Sequence, residues 1–153
     1  KCFNNIKLIL IGYGEERENI IRYAKNLNIY NKIIIINKTD NPYSYIHKSK
    51  LLILTSIYEG FPNILVESLT IGTPVISTNM NSGASEILLN GKGGDLIKLG
   101  DHINLAKRII SFFNSPEELL KKKNIAKKNY IDLAQFRMQE FIQKSLKKYN
   151  GTN

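Results

Sequence analysis

LLILTSIYEGFPNILVES, Leu51 to Ser68, makes three structural statements in succession. Leu51 to Thr55 is an apolar run of strand length. A Gly60-Phe61-Pro62-Asn63 corner follows, and from Asn63 to Thr70 the residues Ile64, Leu65 and Leu69 recur at helical spacing. Gly60 is expected to let the chain turn tightly and Pro62 to preorganise the helix start, while Gly72 and Pro74 end the helix. Strand, polar loop and helix in that order form one repeating unit of a parallel sheet.

The same unit recurs on both sides. Lys7 to Ile11 runs into Gly12-Tyr13-Gly14 and a helical pattern from Glu15 to Leu27. Ile33 to Ile36 is a second strand, with a brief helix from Pro42 or Tyr43 to Ser49. Pro74 to Ser77 opens a fourth strand, Ser82 to Leu88 a short helix, and Asp95 to Lys98 a fifth strand. Gly100-Asp101 starts a helix with Leu105, Ile109, Ile110 and Phe113 on one face. Ser115-Pro116-Glu117-Glu118 starts another, and a last helix is expected from Leu133 to Tyr149. Uninterrupted apolar strands separated by amphipathic helices predict an open, Rossmann-like parallel α/β sheet with helices on both faces and strands buried on both sides.

At 153 residues the chain suits one domain with a sizeable core, and 42% hydrophobic with 23% charged residues is a globular composition. Its apolar runs are too short to span a bilayer, and no signal-type segment stands at the amino end. The single cysteine, Cys2, forms no internal disulfide and fits a reducing compartment, hence a cytoplasmic location. The absence of an initiator methionine fits a piece of a longer protein. A formal charge of +9 favours anionic surfaces. Four arginines are a thin supply for phosphate or base recognition, so nucleic acid is not an expected partner.

Ligands of an open parallel sheet bind at the carboxyl ends of the strands. Three polar loops should emerge there: Gly12 to Glu16, Ser56 to Asn63, and Thr78 to Glu86. Gly12 and Gly14 permit close backbone approach and the following helix offers amides to a phosphate, but a plain strand-to-helix turn fits equally well. The first-turn amides of Asn63, Ile64 and Leu65 are expected unpaired and available to a diphosphate. Glu59 and Glu67 suit the hydroxyls of a polyhydroxylated ligand, or are solvated acids near a helix start. His47 and His102 read as surface or structural histidines, Met80 as a loop residue able to touch ligand, and Met138 as core. Lys121 to Lys123, Lys127, Lys128, Lys144, Lys147 and Lys148 read as a solvated basic skin, with peripheral contact to anionic membrane as the functional alternative.

The run EGFPNILVE, Glu59 to Glu67, closely resembles the signature of the retaining nucleotide-sugar glycosyltransferases of the GT-B fold, glycosyltransferase family 4. Collinear with it are Ile11-Gly12-Tyr13-Gly14 with Glu16-Arg17-Glu18, Asn41 to Tyr45, Leu54-Thr55-Ser56, Gly72 to Thr78, Ser82-Gly83 with Glu86 to Leu88, and Gly91 to Gly94. The resemblance spans residues 7 to 146. It implies a nucleotide-sugar (donor) binding domain over residues 1 to 149, the C-terminal half of a GT-B architecture lacking its first strand-helix unit. Residues 150 to 153 would be a frayed tail. The arginine and lysine that clamp the diphosphate, on an earlier strand and loop of this same domain, and the N-terminal acceptor domain before them would lie outside the chain.

By that resemblance Glu67 holds the ribose hydroxyls and Glu59, the catalytic candidate, lies near the donor sugar. Gly60, Phe61, Pro62 and Asn63 meet sugar and diphosphate, Ile64 and Leu65 the diphosphate, and Asn37, Lys38 and Thr39 border the base. Gly12, Tyr13 and Gly14 complete the donor edge. No metal or cofactor is implied. The implied reaction is transfer of a hexose or N-acetylhexosamine from a nucleotide sugar, with UDP expected, to a glycan or lipid-linked acceptor in bacterial surface-polysaccharide or lipopolysaccharide assembly. It would take place in the cytoplasm or at the cytoplasmic face of the inner membrane, with the isolated chain inactive. A noncatalytic nucleotide-binding module of the same fold and a nucleotide-sugar epimerase are the alternatives.

Overall fold

The computed structural model describes residues 5–80 and 83–132, arranged in two compact units, Lys1–Pro42 and Tyr43–Asn153. In the first, β1 (Leu8–Ile11) and β2 (Ile33–Ile36) pair in parallel from Leu8 opposite Ile33 to Ile11 opposite Ile36. The crossover is α1 (Arg17–Asn26) followed by a 3-10 turn at Tyr30–Lys32. Ala24 is the buried residue of α1. A cavity of about 560 Å³ lies among Leu8, Leu10, Ile20, Tyr23 and Ile33. The expectation of strands buried on both sides fails here. Leu8, Ile9, Ile11 and Ile34 stay 37–46% exposed, on both faces of the two strands, since Leu8 points to the α1 side and Ile9 and Ile11 to the other.

The sheet of the second unit has the order β3 (Leu52–Leu54), β4 (Val75–Asn79), β5 (Asp95–Lys98), all parallel, with Leu52 opposite Val75 and Ile76 opposite Asp95. There the expectation holds for β4, while β3 is half-buried. Consecutive residues of β4 point to opposite faces. Val75 packs with Leu65 and Leu69 of α3 (Asn63–Ile71), Ile87 of α4 (Ala84–Ile87) and Ala126 of α6 (residues 117–132). Ile76 packs with Ile97, Phe112 of α5 (His102–Asn114) and Leu119. Both sides of β4 are thus covered by helices, and Val75 and Ile76 are fully buried.

Local chemistry fixes these elements. Gly72 ends α3 in the left-handed region at φ 104°, a conformation that disfavours a side chain, and the amides of Gly72 and Thr73 both donate to the Ser68 carbonyl. The Thr73 hydroxyl donates to the Ile46 carbonyl at 2.8 Å, tying this corner to α2 (Pro42–Lys48). Asp101 caps α5 by accepting from the Asn104 amide at 3.0 Å. A Cβ on Gly93 would lie 2.7 Å from Ala126 Cβ and 3.2 Å from the Leu88 carbonyl oxygen, so only glycine lets α6 approach this closely. Tyr130 of α6 donates to the Ile87 carbonyl at 2.9 Å.

Asp95, buried at the start of β5, receives Arg108 Nε of α5 and Lys122 Nζ of α6, each at 2.7 Å. Glu118 completes the network with Arg108 at 3.1 Å and Lys122 at 3.2 Å. Lys122 is therefore no part of a solvated skin: it neutralises a buried carboxylate. Burial pushes the Asp95 carboxyl up, but the hydrogen bonds from Arg108 and Lys122 outweigh it and hold the group below its ordinary value.

Two further expectations change. Strand β4 runs on to Asn79, which places Thr78 in the sheet, and Met80 is buried with Leu65 and Leu69, so it does not face a ligand from a loop. His47 and His102 are exposed, as expected. Cys2, Ser82, the helix expected from Leu133 to Tyr149 with Met138, Lys144, Lys147 and Lys148, and the tail 150–153 lie outside the described residues.

Candidate functional site

The loop after β3 carries the first acid of the pair. Ser56 Oγ donates to Glu59 Oε1 at 2.6 Å, and Thr78 Oγ1 on β4 donates to the Ser56 carbonyl at 2.8 Å. A short O–H···O bond to an ionised carboxylate belongs to the strong class of hydrogen bonds. The Glu59 carboxylate thus has a fixed attachment to the sheet edge, although its neighbours Ile57 and Tyr58 are each 77% exposed. Phe61 and Pro62 close the loop against Gly83, where a Cβ would lie 2.9 Å from Phe61 Cδ2 and 3.6 Å from Pro62 Cδ. Pro62 is fully buried and Phe61 half-exposed.

Gly60 departs from expectation. It is not among the glycines with positive φ, so the turn does not depend on its special backbone freedom. An added Cβ at Gly60 would meet no protein atom within 4 Å. The space beside it is open to a ligand.

The start of α3 has fewer free donors than the sequence reading assigns. The Asn63 amide donates to the Phe61 carbonyl at 2.9 Å and the Leu65 amide to the Pro62 carbonyl at 3.0 Å. Only the amide of Ile64 donates to no backbone carbonyl among the described residues. This follows from the tight Phe61-Pro62 entry, which folds its own carbonyls onto the first turn. The first turn of α3 contains no carboxylate, so the partial positive charge of the helix start is not cancelled there. Glu67 follows one turn later on the helix, half-buried.

In the first unit, Gly12, Tyr13 and Gly14 leave the carboxyl end of β1 and Asn37, Lys38 and Thr39 that of the adjacent β2. All six therefore stand at one edge of that two-stranded sheet. The Gly12 amide donates to the Ile36 carbonyl at 2.9 Å, joining the two loops at their roots. Gly12 and Gly14, like Gly60, would present an added Cβ to open space, and Tyr13 is 86% exposed. The Thr39 hydroxyl accepts from the Asn41 amide at 3.2 Å, a turn-forming bond.

An anion is poorly served by α1. Glu15, Glu16 and Glu18 surround its amino end, Arg17 is occupied by Glu18 at 2.9 Å, and the Arg17 amide donates to the Gly14 carbonyl at 3.2 Å. Of the two helix starts offered by the sequence, α3 suits a phosphate and α1 does not.

Sequence reasoning passed over Ser56 and Thr78 as site residues. The signal was present: Ser56 stands three residues before Glu59, a spacing at which a short hydroxyl side chain reaches across a turn. Thr78 needed the sheet register, which sets Ser77 opposite Leu54 and so brings Thr78 to the outgoing loop. Among the described residues no three His, Cys, Asp or Glu side chains gather as a metal site, and no helix is long and apolar enough to cross a membrane.

With this geometry in place, the comparisons with known proteins converge. The family model for glycosyl transferases group 1 matches residues 1–129. A 4-alpha-N-acetylgalactosaminyltransferase of Campylobacter jejuni, acting on an N-acetylgalactosamine-N,N'-diacetylbacillosaminyl-diphospho-undecaprenol, is 28% identical over 80% of the chain and 34% of its own length. The lipopolysaccharide 1,6-galactosyltransferase of Escherichia coli is 36% identical over 63% of the chain and 28% of its own length. The crystal structure of Anabaena HepE in complex with UDP superposes with a TM-score of 0.78 at 20% identity, over 94% of the chain and 41% of HepE. The chain spans about a third of the length of these two curated relatives.

Proposed function

The chain belongs to the glycosyl transferases group 1 family, and on that premise we propose that it is the donor-binding domain of a retaining glycosyltransferase that uses a UDP-sugar. The observation that carries this reading is the β3–α3 segment. It holds Glu59 by a 2.6 Å hydrogen bond at the carboxyl end of a parallel strand and Glu67 half-buried on the helix that follows. Between them lies an open, carboxylate-free helix start.

In this reading the Ile64 amide and the α3 dipole take the diphosphate, Glu67 accepts from the ribose hydroxyls, and Glu59 faces the sugar. Breaking the anomeric bond develops positive charge on the sugar and negative charge on the departing diphosphate. A carboxylate on one side and a helix amino terminus on the other have the matching signs. With one first-turn amide available rather than three, most of the positive charge required by the leaving group comes from elsewhere in the full protein. The acceptor is a glycan or a lipid-linked saccharide, the class acted on by both curated relatives. The transferred unit is a hexose or N-acetylhexosamine.

The test is a transfer assay on the full-length protein with UDP-glucose, UDP-galactose and their N-acetylhexosamine counterparts, against lipid-linked and lipopolysaccharide acceptors. The expected result is UDP release coupled to product with the anomeric configuration of the donor retained, and loss of turnover in Glu59→Gln. Product of inverted configuration contradicts the retaining mechanism, and UDP binding with no transfer to any acceptor contradicts the enzymatic reading and leaves a nucleotide-binding module.

A further inference from the structure

Glu59 sits on a loop whose flanking residues project into solvent, yet one hydrogen bond holds the loop internally and two contacts bind it to the end of β4 and the chain after it. The Ser56 hydroxyl holds the Glu59 carboxylate at 2.6 Å, and the Thr78 hydroxyl holds the Ser56 carbonyl at 2.8 Å, reaching the Leu54 carbonyl as well at 3.5 Å. Gly83 leaves room for the Phe61 ring and Pro62. Thr78 is 6% exposed and pairs with Ile97 of β5, one residue beyond the last β3–β4 pair, so its hydroxyl stands on backbone anchored in the sheet.

We propose that Ser56 is a positioning residue for Glu59, and that the Thr78–Ser56–Glu59 chain sets the direction of that carboxylate toward the donor sugar. This rests on the reading of Glu59 as the sugar-facing acid. A free glutamate in an exposed loop samples several rotamers of similar energy. One short hydrogen bond from a residue itself pinned to the sheet selects among them before substrate arrives, so the ordering cost falls on folding rather than on the reaction. The hydroxyl is the operative group: a donor is needed for the carboxylate, and a small side chain is needed to reach it within the loop. Neither Ser56 nor Thr78 contacts the donor in this account, so their removal acts on the chemical step more than on nucleotide binding.

The experiment compares full-length wild type, Ser56→Ala, Ser56→Thr, Thr78→Val and Glu59→Gln, measuring kcat and KM with UDP-sugars, the affinity for UDP alone, and thermal stability. Ser56→Ala is expected to lower kcat ten- to hundredfold, the value of a hydrogen bond to a charged group, with UDP affinity within twofold of wild type. Ser56→Thr, which keeps the hydroxyl, restores most of the rate. Thr78→Val gives a smaller loss in the same direction.

A Ser56→Ala variant with unchanged kcat, while Glu59→Gln is inactive, overturns the positioning role and leaves the reading of Glu59 intact. Parallel losses of kcat, UDP affinity and thermal stability in Ser56→Ala, or no rescue by threonine, overturn it in favour of a merely structural hydroxyl. Full activity in Glu59→Gln removes the reading of Glu59 itself, and the inference with it.

Discussion

Gly83 shows how one residue can shape a site it does not enter. Its missing side chain is the space in which the edge of the Phe61 ring lies, and Phe61-Pro62 in turn folds its carbonyls onto the Asn63 and Leu65 amides. Because Phe61 is half-exposed, a methyl group at position 83 would move the ring and the turn more readily than the core. Gly83→Ala is therefore expected to cost about 1 kcal/mol of stability, at the low end of overpacking, while lowering turnover of the full-length protein several-fold. Urea denaturation and a steady-state assay on one preparation check both parts. At this scale the sequence was legible where chemistry is local: Pro62 marked the start of α3, whereas spacing left Glu59 and Glu67 open between ligand-binding and solvated acids, and only the family resemblance favoured the first. What was not legible was the fate of individual amides. The loss of Asn63 and Leu65 as free donors depends on the dihedral path of Phe61 and Pro62, which residue identities do not determine.

At the scale of elements, β4 organises the second unit because its alternation sends Val75 and Ile76 into separate helical layers. The hydrophobic run Pro74 to Ser77 disclosed that strand, and its continuation to Asn79 was hidden because Thr78 and Asn79 read as loop residues. Their polarity is explained by position: they end the sheet at the edge where the Glu59 loop begins. The link between β5, α5 and α6 through Asp95 was invisible in sequence. Arg108 and Lys122 lie 13 and 27 residues downstream of Asp95, and nothing local marks them as partners.

Asp95 yields a stability prediction with a definite sign. Its carboxyl is held below its ordinary value in the folded chain, so it contributes stability above an unfolded pKa of about 4 that is lost as pH falls through the folded value. Asp95→Asn removes the charge and leaves Arg108 and Lys122 facing a neutral group. The expected cost at pH 7 is about 1–2 kcal/mol, because the two cations left behind are partly exposed and keep Glu118 as partner. That corresponds to a fall in Tm of roughly 2–8 °C for a chain of this size. Thermal denaturation followed from pH 7 down to pH 3 should show the wild type losing part of this advantage below pH 4, with a flatter decline in the variant. Parallel curves would mean that the network contributes no pH-dependent stability.

At the scale of the whole molecule, the parallel α/β class was readable from the recurrence of apolar run, polar loop and helical pattern. Family membership was readable from the collinearity of motifs that are individually weak. The burial of the strands was not uniform, since β1 and β2 expose residues that the sequence presents as interior. The chain covers about a third of the two curated relatives named above, and among the described residues a single first-turn amide of α3, that of Ile64, donates to no backbone carbonyl. The isolated 153-residue chain is accordingly expected to transfer no measurable sugar from UDP-glucose, UDP-galactose or UDP-N-acetylglucosamine to water or to an acceptor. Chromatographic detection of released UDP over several hours checks this, and appreciable turnover would refute it.

In the proposed function the β3–α3 segment binds a nucleoside diphosphate with Glu67 on the ribose. The most direct measurement is calorimetric titration of the full-length protein and its Glu67→Ala variant with UDP, 2′-deoxy-UDP, GDP and ADP. The account predicts that wild type binds UDP and discriminates against 2′-deoxy-UDP. In Glu67→Ala, UDP affinity should fall ten- to hundredfold, the 1.5–3 kcal/mol typical of hydrogen bonds to a charged group, with the discrimination abolished. Equal UDP affinity in the two proteins, or no binding of any of the four nucleotides by wild type, would contradict it.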